Sequence, residues 1–254
     1  MTLAVFALSS SCAGVGLAPG EEPRFYANRA NFGWDTAILE RGAGEVQGGV
    51  DVDPGETVDA PMTLRLGLTE HTELFSCLAP YRSNLEPGSN PSDFGDVLLG
   101  VRHRYHAPEE GPSAAVLFAV NVPFGDEADG FGSGHYDVFG AWMATLESGF
   151  LAMTGYYELG LLDPGDTDVL QHSLAFVTEM ALTRDLGGFV QVSSILVPEE
   201  DVDATETSAG IVVNVSPTVS WDIAASLGLS EEAADFVVST GFTWGIAPRS
   251  ARRL

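Results

Sequence analysis

Twelve times between Glu45 and Ile246 the chain repeats a short run in which large apolar side chains alternate with small or polar ones. The last run shows the rule best. Phe236, Val238, Thr240, Phe242, Trp244 and Ile246 fall on one face, while Asp235, Val237, Ser239, Gly241, Thr243 and Gly245 fall on the other. Earlier runs repeat it: Met62, Leu64, Leu66 and Leu68 against Thr63, Arg65, Gly67 and Thr69, and Val97, Leu99, Val101 and Tyr105 against Asp96, Gly100, Arg102 and Arg104. A period of two means strands, and each run has about the 9–11 residues a tilted strand needs to cross a bilayer. One face suits hydrocarbon and the other a cramped, hydrated interior, a combination that only a closed barrel satisfies in lipid.

The alternation predicts strands over Glu45–Val52, Met62–Thr69, Thr72–Arg82, Asp96–His106, Ala114–Val122, Tyr136–Glu147, Phe150–Leu161, Leu170–Thr183, Gly188–Val197, Ser208–Ser216, Thr218–Leu229 and Asp235–Ile246. Connections after even-numbered strands are short, such as Glu70-His71, Ser148-Gly149 and Pro217. Those after odd-numbered strands are longer, rich in Asp and Glu, and free of Arg, which places them on one rim, the outer one if the N-terminus is periplasmic. The fold expected is therefore an all-β, transmembrane, antiparallel up-and-down barrel of about twelve strands.

Composition excludes two other classes. No apolar run approaches the roughly 18–20 residues of a spanning helix. With 36 acidic residues, only 11 basic ones, all Arg, and a net charge of −25, the chain is a poor ligand for nucleic acid. Residues 1–18 read as an export signal built on the apolar stretch Leu3–Leu8. Residues 19–44 form a lead-in that can fold into the bore as a plug, with Arg29 or Arg41 meeting an acidic wall; 45–246 are the barrel and 247–254 a tail.

Several short stretches carry a family resemblance: Asn28-Arg29, Phe32, Glu45 and Gly48-Gly49 at the barrel entry; Leu64 to Thr69 running into Glu73-Leu74; Phe94 to Gly100 leading to Arg102 and Tyr105; and Val122-Pro123-Phe124-Gly125. Together these resemble the outer-membrane proteins grouped under the MetA pathway of phenol degradation. The resemblance spans the mature chain and implies a bacterial outer-membrane barrel that transports small or aromatic compounds. Two departures are Ala30, where that pattern has Pro, and an ending on Arg252-Arg253-Leu254 in place of a terminal aromatic.

A barrel does not specify a function, so the inner face must be read for one. Twelve strands leave a bore between the filled interior of eight and the aqueous channel of sixteen. Alternation turns Arg65, Asp96, Arg102 and Arg104 inward on strands two and four, and Glu147, Glu158, Glu179 and Asp222 inward on strands six, seven, eight and eleven. Two readings stay open: a polarised constriction with a transverse field that orients small solutes, or a packed salt-bridge network that keeps a closed barrel rigid. Phe75, Phe139 and Tyr156 also point inward, as a track for aromatic solutes or as filling.

Other readings are weaker. A lipid hydrolase would need a Ser–His pair at the lipid face; His103 and His172 with Ser76 or Ser194 are the candidates, read as lying on non-adjacent strands and without a surrounding motif, so no catalytic residue is assigned. The runs Asp126–Gly130 and Glu199–Asp203 do not have the spacing of a calcium loop, so no metal and no cofactor is expected. A soluble secreted barrel would show Lys, Thr and Glu on its polar face, where this chain has mostly Gly, Ala and Ser. The partners expected are outer-membrane lipids, a small-molecule solute and the barrel-assembly machinery.

Overall fold

The computed structural model describes residues 33–54, 56–85, 92–108, 111–128, 131–163 and 169–246. The export signal, Arg29 and the tail lie outside the described residues. Twelve antiparallel strands close into a ring: β1 (Gly44–Asp53), β2 (Thr57–Asp59 continuing as Met62–Gly67), β3 (Thr72–Leu78 continuing as Arg82–Asn84), β4 (Ser92–Asp93 continuing as Val97–His106), β5 (Ser113–Val122), β6 (Asp137–Ser148), β7 (Leu151–Leu162), β8 (Val169–Ala181), β9 (Leu186–Val197), β10 (Val202–Ser216), β11 (Val219–Gly228) and β12 (Phe236–Ile246). Each pairs with its chain neighbour, and β12 closes on β1 from Ile246 opposite Gly44 to Val238 opposite Val52. Closure leaves no strand edge unpaired in the hydrocarbon.

Two prolines account for most of the interruptions. Pro61 and Pro80 have no N–H to give to a ladder, so β2 and β3 break beside them. The wall stays hydrogen-bonded there, because Ala60 N donates to Tyr81 O (2.8 Å), Gly49 N to Pro61 O (3.1 Å) and Gly95 N to Ala79 O (2.7 Å). Strand β10 begins at Val202, well before the predicted Ser208. Its first residues carry no apolar face to read, yet pair with β9 from Val197 opposite Val202, where a strand above the bilayer needs no lipid-facing stripe.

The polarity of the two faces is inverted relative to a soluble barrel. Phe118, Phe176, Phe242 and Trp244 point outward and are about half exposed, at 55%, 55%, 48% and 51%. Arg102, Glu45, Glu73, Gln47 and Asp222 are among the largest fully buried side chains. In water such a continuous apolar surface would aggregate, whereas in a bilayer it is the solvated face.

The interior is less polar on one side than alternation alone implied. Phe75, Leu98, Leu117, Phe139, Met143 and Tyr156 belong to one buried apolar cluster that runs from β3 to β9, where Ala175 and Ile195 join it, and Trp34, from the lead-in, packs into it. A residue from outside the strands supplies the cover that keeps water off this flank.

Candidate functional site

Residues 33–43 lie within the strand ring at the end bearing the short turns, periplasmic in barrels of this kind, with Trp34, Asp35, Thr36, Leu39 and Ala43 buried. Near β1 the segment is stitched to β2, where Gly42 N donates to Gly67 O (2.8 Å) and Gly67 N to Ala43 O (2.9 Å). Leu39 N donates to Glu73 Oε2 on β3 (2.9 Å). Farther back the chain reaches β5 and β6: Thr36 N donates to Thr145 Oγ1 on β6 (3.3 Å), and the Thr36 and Ser113 hydroxyls bond to each other. Gly33, at φ +88, rests against the Tyr156 ring on β7, a backbone state that favours glycine. The segment therefore crosses the bore as a strap.

Two arginines hold it. Arg65 forks onto Glu73, with Nε to Oε1 and Nη2 to Oε2 both at 2.9 Å, and gives Nη1 to Glu45 Oε1 at 2.8 Å. Arg102 directs Nη2 to the carbonyl oxygens of Asp35 (2.8 Å) and Ala37 (2.7 Å), while its Nη1 lies 3.2 Å from Glu73 Oε1. The Trp34 ring lies across the Arg102 guanidinium, 4.4 Å from Cζ to the ring centroid, and touches Phe75 at a centroid separation of 4.8 Å. Buried charges persist only when paired and hydrogen-bonded. Here the pairing is distributed over β1, β3 and the strap, so the strap's own carbonyls are part of what solvates the cations.

This geometry corrects the transverse field. Arg65 and Arg102 are neutralised by Glu45, Glu73 and Asp35 beside them, instead of facing the acids of β6–β11 across the bore. Arg104 lies nearer the rim, where Nη2 donates to Glu70 O (3.3 Å). Glu147 and Glu179 share one row near the short-turn end, each opposite Ala152, the first exposed and the second buried. Glu158 accepts the Tyr156 hydroxyl at 2.5 Å, and Asp222 lies buried on β11. Arg41, expected against an acidic wall, is exposed in the turn closed by Ala43 N to Glu40 O (2.9 Å); a turn of that kind points its middle residues away from the packed bore.

Asp96 belongs to another structure at the outer end. Its carboxylate accepts the backbone N–H groups of Phe124 (3.0 Å), Gly125 (3.0 Å) and Ser133 (2.7 Å), and Asn121 Nδ2 at 2.9 Å. Asn121 also reaches Asp137 (3.2 Å). Gly125 and Gly132 let the loop fold on itself, since a Cβ at either would overlap the backbone of the other limb. Asp96→Ala should leave three partly buried backbone donors without their acceptor, at most about 1–3 kcal/mol each. Limited proteolysis between 124 and 133 should then speed up while the strands stay protected.

The hydrolase candidates find other partners. β3 and β4 are adjacent, as are β8 and β9, contrary to the sequence reading. His103 Nδ1 bonds Thr72 Oγ1 (3.0 Å), His172 Nδ1 bonds the Tyr157 hydroxyl (2.9 Å), and Ser194 bonds Thr205 (2.9 Å). No group of His, Cys, Asp and Glu suited to a metal occurs among the described residues.

Trp34, Asp35, Glu45 and Glu73 were not among the site residues that alternation suggested. Glu73 was recoverable: it lies on the strand between the two that carry Arg65 and Arg102, and alternation with Phe75 turns it inward. Nothing in the sequence pairs Trp34 with a guanidinium on β4.

A family model described as "Putative MetA-pathway of phenol degradation" matches residues 30–246. No curated protein matches the sequence. Among solved structures, the fold is similar to the NanC porin, at 10% identity and TM-score 0.57 over 79% of this chain and 98% of that one. It is similar to the KdgM porin at 7% identity and TM-score 0.60, over 80% and 99%. At such identities the likeness is one of fold.

Proposed function

The chain belongs to the family of the MetA pathway of phenol degradation, an outer-membrane barrel lineage, and from that premise we propose that it is a channel for small solutes whose bore the strap narrows at the periplasmic end. The observation that carries this reading is the strap itself. A barrel needing only a filled interior could fill it from its own wall, as eight-stranded barrels do. Here a separate segment crosses the bore, fastened by hydrogen bonds to β2, β3, β5 and β6 and by Arg102 on β4.

The two flanks of the bore suit a solute with an apolar body and a polar group. Phe75, Phe139 and Met143 lie on the inner face of β3 and β6, and Gln171, Ser173, Gln191 and Ser193 on that of β8 and β9, all buried while the strap is in place. A phenol-like ring with a hydroxyl would meet both, gaining dispersion on one face and hydrogen bonds on the other. Outer-membrane lipids against the outward aromatics, and the machinery that inserts barrels, are the partners this reading requires.

A second reading, a closed barrel without transport, draws on the buried ion-paired cluster around Arg65. Planar-bilayer recordings separate the two. A variant lacking residues 21–40 should conduct several-fold more than the full chain and speed phenol entry into vesicles. Equal, near-zero currents from both, with heat-modifiable migration showing that both are folded, would leave the closed barrel.

A further inference from the structure

Trp34 fills a slot whose walls belong to the barrel. Its ring lies 4.4 Å from Arg102 Cζ and 5.7 Å from Arg65 Cζ, and it meets Phe75 at a centroid separation of 4.8 Å with the planes tilted by 47°. A guanidinium near a ring face is attracted by the ring's quadrupole, most strongly where water is kept away. Water is kept away here, since Trp34, Phe75 and both arginines are each exposed by 4% or less. Phe75 on β3, Arg65 on β2 and Arg102 on β4 come from the strands, and only the ring between them comes from the strap.

The indole leaves one demand of the slot unmet. Arg102 is fully buried, and its Nε has no hydrogen-bond partner among the described residues. An indole nitrogen is a donor only, so Trp34 offers Nε nothing to bond. A phenol in its place presents a ring to Phe75 and the guanidinium and adds an oxygen that accepts from Nε, which relieves a buried donor. The tether favours Trp34 instead, because a group held on the same chain competes at an effective concentration on the order of millimolar. Solute concentration therefore decides which ring is bound. The residues that follow Trp34 tie the strap to β4, β5 and β6, through Asp35 O to Arg102 and through Thr36 to Thr145 and Ser113. Withdrawal of the ring pulls on those contacts, while the stitches at Leu39, Gly42 and Ala43 lie farther along and stay.

We infer that Trp34 is an internal stand-in for the solute, and that a small phenolic compound competes with it for the slot between Arg102 and Phe75. Binding of the phenol frees residues 33–36 from β5 and β6 and widens the bore. The opening step rests on the channel reading, whereas the competition for the slot does not.

Conductance of the full chain in planar bilayers should rise several-fold as phenol is added, and saturate near the level of Trp34→Ala, which is open without phenol. Cyclohexanol, of similar size and with the same hydroxyl but no π face, should leave it unchanged. In detergent, calorimetry should show phenol binding about tenfold tighter to Trp34→Ala than to the full chain, because the slot no longer has to be vacated first. Heat-modifiable migration confirms that the variant is folded, and the comparison of phenol with cyclohexanol on the full chain needs no substitution. A full chain indifferent to phenol, while the variant lacking 21–40 conducts, overturns the gate and leaves the channel standing. An equal response to cyclohexanol overturns the aromatic slot. Equal phenol affinity with and without Trp34 overturns the competition, whatever the currents. Folded protein that never conducts, even without 21–40, removes the channel and the opening step together.

Discussion

Arg65→Ala is expected to lower the barrel's stability by roughly 3–5 kcal/mol, the penalty for removing one partner of a buried ion pair. Arg65 bridges two carboxylates, forked onto Glu73 and bonded to Glu45, and all three side chains are almost wholly buried. Its loss leaves Glu45 with Gln47 as its remaining hydrogen-bond donor, at 2.7 Å, facing a second carboxylate. Arg65→Lys should recover only part of the loss, because an ammonium cannot fork onto Glu73 and still reach Glu45. The more telling variant combines Arg65→Met with Glu45→Gln. Removing the stranded charge with its partner should make the pair of changes less damaging than the sum of the two alone, since Glu73 keeps Arg102. Urea unfolding in detergent, read by loss of heat-modifiable migration, measures each step. Additive effects would show that the cluster is not coupled.

Gly67→Val is expected to open the bore while changing no charge. A Cβ at position 67 would overlap the carbonyl oxygens of Leu39 and Glu40, so the strap's turn cannot keep its place. Residue 67 is at the end of β2, where Gly67 N and O bond Ala43 and Gly42; displacement of the turn breaks those bonds and pulls Leu39 N away from Glu73. Overpacking of this kind typically costs about 1–3 kcal/mol. The larger effect should be on conductance, which should approach that of the variant lacking 21–40. A Gly67→Val protein that folds and conducts like the parent would show that the strap does not govern passage. Together the two substitutions separate the roles of cluster and strap: one attacks the charges that hold the segment, the other the space it occupies.

How much of this was legible beforehand follows from the range of each signal. Strand number, facing and closure depend on a period of two repeated along each run, a local pattern that survives even where Pro61 and Pro80 break the ladder. Strand ends above the bilayer, as in Val202–Thr207, were hidden because only the lipid-facing stripe announces a strand in such a sequence. Arg65, Arg102, Glu158, Glu179 and Asp222 were assigned inward and are inward. Their partners were not legible, because pairing depends on register across strands and on where the lead-in turns. Asp96 illustrates the gap: alternation puts it at the inner face, yet its neighbours are loop N–H groups from residues 124 to 133, brought there by a turn that two glycines permit.

That the chain closes into a ring of twelve strands with hydrocarbon outside follows from the order of its residues, because alternation fixes which side each residue occupies and lipid tolerates no unpaired strand edge. The absence of Arg and Lys from β5–β12 is likewise a matter of which residues are present. The pairing of the arginines with Glu45, Glu73 and Asp35, and the course of residues 33–43 across the bore between them, arise in the folded barrel alone. Those contacts join residues distant along the chain, and their energy depends on angstrom-scale placement that no linear pattern encodes.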